Sequence, residues 1–122
     1  MFRLVLFRYN NFMKNKHFYT DIVEVDSIFV ALDKMDLTSE ELSQLKEMVE
    51  SQVHQVVIDT VLSQLSEKDQ KLFLTYLAHG RHDEILQHLK KNIEKVEEKI
   101  IKAVDELKND LHADIKESRQ KK

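Results

Sequence analysis

The 122-residue sequence predicts an all-α protein: a small bundle of four to five helices with a long, charged, amphipathic C-terminal helix. Three observations carry that expectation. Gly80 is the only glycine and there is no proline, where average usage would give roughly eight and six. Tight turns and β-bulges depend on glycine's access to positive φ, so a β-rich fold is disfavoured. Capping signatures at Thr38 and Ser66 mark two helix starts, and apolar residues recur at three- and four-residue steps from about residue 26 onward.

Residues 1–20 read as a basic-aromatic arm. They carry Arg3, Arg8, Lys14 and Lys16 without an acid, and six of the nine aromatics: Phe2, Phe7, Tyr9, Phe12, Phe18 and Tyr19. They show neither alternation nor helical period. Three readings stay open for this stretch. Met13 opens a lysine-rich run of the kind that starts many bacterial proteins, so residues 1–12 need not be native. The stretch can equally be packed or disordered, or it can be an arm that touches a membrane surface or stacks on single-stranded nucleic acid.

A single helical domain is expected over 21–117. Its first helix, about 26–35, would be capped by Asp26 or Ser27 and contribute Ile28, Phe29, Ala31 and Leu32. Thr38-Ser39-Glu40-Glu41 is a capping box opening a helix over 39–65, whose second half is apolar around much of its circumference and should lie centrally. Ser66 caps a shorter helix, 67–79, presenting Leu72, Phe73, Tyr76 and Leu77 and closed by Gly80 as an αL C-cap. Asp83 is expected to cap the next helix, 83–91, and a tail, 118–122, to be disordered.

The most regular pattern runs Leu86, Leu89, Ile93, Val96, Ile100, Val104, Leu107, Leu111, Ile115, a period near 3.63 over 29 residues. That suits a straight helix laid on a surface rather than a supercoil of period 3.5. Two arrangements follow. One unbroken helix over 84–117 would be about 51 Å long, overhanging a globule about 25–30 Å across. Val104, Leu107, Leu111 and Ile115 would then form an interaction surface for a protein partner or a second copy. Alternatively, a bend at Lys91-Asn92, with Asn92 as an internal cap, lays a helix over 93–117 antiparallel along 39–65.

The same composition excludes several functions. Without glycine-rich loops there is no P-loop or dinucleotide fingerprint. With no cysteine there is no disulfide scaffold, thiolate metal site or thiol nucleophile. No apolar run approaches the twenty or so residues of a membrane span, and Leu4–Phe7, ended by Arg8, is too short for a secretory h-region. A cytoplasmic location is the expectation. Outside the arm the chain is acidic, at −7 against the arm's +4, which makes nucleic acid a disfavoured partner.

Few residues are arranged for chemistry. His79, His82 and His88 lie close together with Asp83 and Glu84, the side chains a zinc or nickel site uses. Their spacing is poor: His79 and His82 straddle the glycine break, and His82 and His88 are about 240° apart on a helix. No serine sits in a nucleophile elbow, and adjacent acids such as Glu97/Glu98 diverge on a helix. Residues 66–91 could be drawn as a helix-turn-helix, but its second helix is only weakly basic. No catalytic or cofactor-binding residue can be named, and a protein that is neither an enzyme nor a cofactor carrier is expected.

The segments "FVALDKMDLTSEELSQLKEMVES" and "VLSQLSEKDQKLF", followed by a charged C-terminal helix, resemble a family of short all-helical proteins of unknown function from uncultured small-genome bacteria. The resemblance covers Phe29 to about Ile115 and implies no functional residues. The leading expectation is a non-catalytic helical interaction module or small regulatory subunit. The second is a nucleic-acid-associated regulator using the basic N-terminal arm.

Overall fold

The computed structural model describes residues 17–120, which form five helices and, among the described residues, no strand. The order is α1 (Asp26–Asp33), α2 (Ser39–Gln64), α3 (Glu67–Ala78), α4 (His82–Asn92) and α5 (Val96–Gln120).

Helix starts and stops follow local chemistry. At α2 the Thr38 hydroxyl accepts from the Glu41 amide (3.1 Å) and the Glu41 carboxylate accepts from the Thr38 amide (3.0 Å), a complete capping box. At α3 the Ser66 hydroxyl accepts from the Asp69 amide at 3.3 Å. Asp69, one methylene shorter than glutamate, bonds the serine hydroxyl instead of reaching the backbone. The end of α3 is a Schellman motif: Gly80 sits at φ +66, its amide donates to Leu77 O, and the Arg81 amide donates to Tyr76 O.

Two expected caps are corrected. Neither Asp26 nor Ser27 caps α1; its N-cap is Val25, which has no capping side chain, and Glu24 Oε1 accepts the Ser27 amide at 2.8 Å. A flanking carboxylate thus does the work expected of a cap residue. Helix α4 starts at His82 behind Arg81, so Asp83 lies within its first turn, where the dipole favours an acid.

The chain breaks after Asn92, and the last helix folds back. Asn92 ends α4, its amide nitrogen donating to His88 O at 2.8 Å, rather than capping the next helix. Ile93 is extended and buried, and Lys95 adopts φ +54. A non-glycine residue in that region costs about 1–2 kcal/mol. Burying Val96, Ile100 and Val104 returns about 1.5–3 kcal/mol each, so the fold-back wins clearly. Lys90 and Glu97 pair across the break at 3.0 Å. Helix α5 runs antiparallel to α2: Lys99 Nζ donates to Gln64 Oε1 at one end, and Leu111 and Ile115 face the same cleft as Leu45 and Val49 at the other. It continues to Gln120, so Ser118 is helical rather than part of a tail; Lys121 and Lys122 lie outside the described residues.

The core forms around α2, whose Val49, Val53, Val57 and Val61 lie one helical turn apart along one line. Against them sit Ile28, Phe29 and Leu32 of α1, Phe73 of α3, Ile85 and Leu89 of α4, and Val96, Ile100 and Val104 of α5. Phe18 and Tyr19 also belong to this core, at 2% and 1% exposure. The domain therefore includes part of the stretch assigned to the arm. Residues 1–16, including the question of a start at Met13, lie outside the described residues.

Candidate interaction surface

Helix α1 has 8 residues, about 12 Å, and lies on a seam between α2 and α5 roughly 37 Å long. It cannot cover the whole seam. Where it ends, a cleft of about 180 Å3 opens between Leu32 and Met35, the first half of α2 (Leu45, Met48, Val49, Gln52) and the last turns of α5 (Leu111, Asp114, Ile115, Ser118). Its walls are mostly aliphatic and thioether groups. Met48, at 55%, is the most exposed large apolar side chain among the described residues.

The four residues expected to form an interaction surface divide. Val104 is 1% exposed and belongs to the core, because the fold-back turns it onto α1 and α2; it is removed from any surface. Leu107 is half-buried against the core. Leu111 and Ile115, also half-buried, line the cleft. Met48 went unnoticed in the sequence, since a methionine beside a regular apolar stripe carries no signal of exposure.

Polar links anchor the rim. Lys46, 3% exposed, pairs with Asp33 at 3.1 Å and lies 5.6 Å from the centre of the Phe29 ring, tying α2 to α1. Lys108 of α5 pairs with Glu24 at 3.0 Å. Burial works against the Glu24 charge, but the bonds from Lys108 and the Ser27 amide outweigh it and hold its carboxyl below the ordinary value. Asp26 is pushed the other way, by burial and by Glu24.

The three histidines do not converge. His79 is exposed, its Nδ1 2.8 Å from Thr75 O. His88 lies against Tyr76 (ring centroids 6.0 Å) with Nε2 3.4 Å from Asp69 Oδ1 but without hydrogen-bond alignment. His82 sits at the start of α4, its Nδ1 enclosed without a partner. Among the described residues no group of three or more His, Cys, Asp or Glu side chains is placed to hold a metal ion.

The arm's proposed stacking role loses two of its six aromatics. Phe18 is edge-on to Phe73 at 5.7 Å, and the Tyr19 hydroxyl lies 2.9 Å from His54 Nδ1, so neither ring is open to a nucleobase. The other four lie outside the described residues. No helix among the described residues is long and apolar enough to cross a membrane. Compared with known proteins, the chain matches no family description, no curated protein and no solved structure.

Proposed function

We propose that the protein is a non-catalytic interaction module, a small adaptor or regulatory subunit, whose cleft between α1, α2 and α5 receives an amphipathic helix of a partner protein. The observation that carries this reading is the open apolar cleft with Met48 at its mouth. Helix-in-groove recognition needs an apolar trough that accepts two or three large side chains from one helix face. Methionine suits such a trough because its unbranched, polarisable side chain adapts to the shape it meets. Asp114 in the lining and the acidic balance of the chain beyond residue 20 favour an occupant whose apolar face is flanked by lysine or arginine.

A photo-crosslinking amino acid at position 48 tests this in cells. The expected product is a crosslink to a basic amphipathic helix of one partner. That helix, as a peptide, should bind the purified chain in a salt-sensitive manner, with affinity reduced at least about tenfold by Met48→Asp. A crosslink to a second copy of the chain, or binding indifferent to Met48→Asp, would overturn the proposal.

A further inference from the structure

Two segments far apart in the sequence meet at a pair of imidazoles, His17 and His54, on the side of α2 away from the cleft, and His82 at the start of α4 is near enough to act electrostatically on His17. His17 precedes α1, His54 lies on α2, and His82 is the first residue of α4. The His17 ring stacks on Tyr19, with centroids 5.0 Å apart and planes within 4°, and its centroid is 4.9 Å from that of His54. Tyr19 is 1% exposed, and its hydroxyl lies 2.9 Å from His54 Nδ1. With the imidazole proton on Nε2, the hydroxyl donates and Nδ1 accepts. Protonating His54 turns that acceptor into a second donor, and the bond must reverse or break.

We propose that this cluster is a pH-operated latch: neutral imidazoles keep the His17–Val23 segment docked on the bundle, and mild acid releases it, uncovering Phe73. The surroundings favour release over neutralisation. His82 stands at the N-terminus of α4, where the helix dipole opposes added positive charge. Arg81 and Asp83 flank it; Arg81 is paired with Glu84 at 3.1 Å, and Asp83 is exposed to solvent. From α2 the facing acid is Glu50, one turn before His54. Burial and Glu47 raise its carboxyl above the usual range, making it a weak counter-ion as pH falls. On α3 the segment meets the apolar Phe73 through Phe18.

The direction of the pH dependence follows from His17. Burial, then His54 and His82, hold its imidazole below the ordinary 6.5. The docked segment therefore binds fewer protons than the released one. Docking is full above about 6.5 and is lost progressively as pH falls toward the depressed value.

Hydrogen exchange on the full chain, expressed as protection factors so that the intrinsic pH dependence cancels, reads the latch directly. The Thr20, Ile22 and Val23 amides donate to His17 O and Tyr19 O. Their protection should fall by at least about threefold between pH 7.5 and 5.0, because the released segment, whose imidazole is no longer held below its ordinary value, binds protons more readily than the docked one. Amides in the middle of α2 and α5 should keep theirs. His17→Gln, a change at a half-exposed site, and separately His54→Gln, which retains an acceptor for Tyr19, should each cut the fall to less than about threefold. Protection that does not change with pH, a fall of equal size throughout the chain, or a full fall retained in His17→Gln would overturn the latch.

Discussion

Lys46 shows how a charged residue comes to lie in the core. It follows Leu45 on α2 and occupies a register position that turns toward α1, so its stem lies along Phe29 while the ammonium reaches Asp33. Long cationic side chains can bury their methylenes in this way. Much of its contribution should therefore be packing. Lys46→Met is expected to change stability by less than about 1 kcal/mol, whereas Lys46→Ala should cost about 2 kcal/mol; urea denaturation distinguishes them. Phe73 is the opposite case, an aromatic with 0% exposure on a short helix whose neighbours Leu72 and Leu74 are 40% and 46% exposed. Phe73→Ala should cost about 3–5 kcal/mol. Helical spacing offered Leu72, Phe73, Tyr76 and Leu77 as equals; only the position of Phe18, fifty-five residues earlier, singles out Phe73.

At the level of elements, the two left-handed positions among the described residues make opposite predictions. Gly80 has φ +66 and open space where a Cβ would stand, so Gly80→Ala meets no clash and pays only in backbone conformation. About 1 kcal/mol of destabilisation is expected. Lys95 has φ +54 and already carries that cost, so Lys95→Gly should stabilise the chain by about 0.5–1 kcal/mol, read as a higher urea midpoint at unchanged slope. The first of these turns could be read from the chain, because a glycine after a helix has a known role. The second could not. Nothing about a lysine advertises a left-handed conformation, and the break is forced by what lies beyond it, the gain from burying Val96, Ile100 and Val104. The caps divide in the same way: Thr38 and Ser66 act within three residues of themselves, whereas Glu24 caps α1 from outside it and is held by Lys108, eighty-four residues away.

For the whole molecule, the fold-back sets which apolar residues remain available. Leu107→Asp and Met48→Asp separate structure from surface. Leu107 is half-buried against the core, so its substitution should lower thermal stability by several degrees. Met48 is 55% exposed, and its substitution should leave the unfolding free energy within about 0.5 kcal/mol while weakening the proposed helix binding at least about tenfold. Equal losses of stability in the two variants would place Met48 in the core and remove the cleft from consideration.

The all-α class, two helix starts, the αL glycine and the apolar face of α5 were determined by the sequence itself. Each depends on interactions within one or two helical turns, and such interactions leave a local pattern. Tertiary structure alone decided that Val104 is core while Leu111 and Ile115 border a cleft, that Phe18 and Tyr19 belong to the bundle, and that the His17 and His54 rings lie side by side. These outcomes depend on which helix faces are brought together across tens of residues. That choice is settled by the total apolar surface removed from water, a quantity no single segment carries.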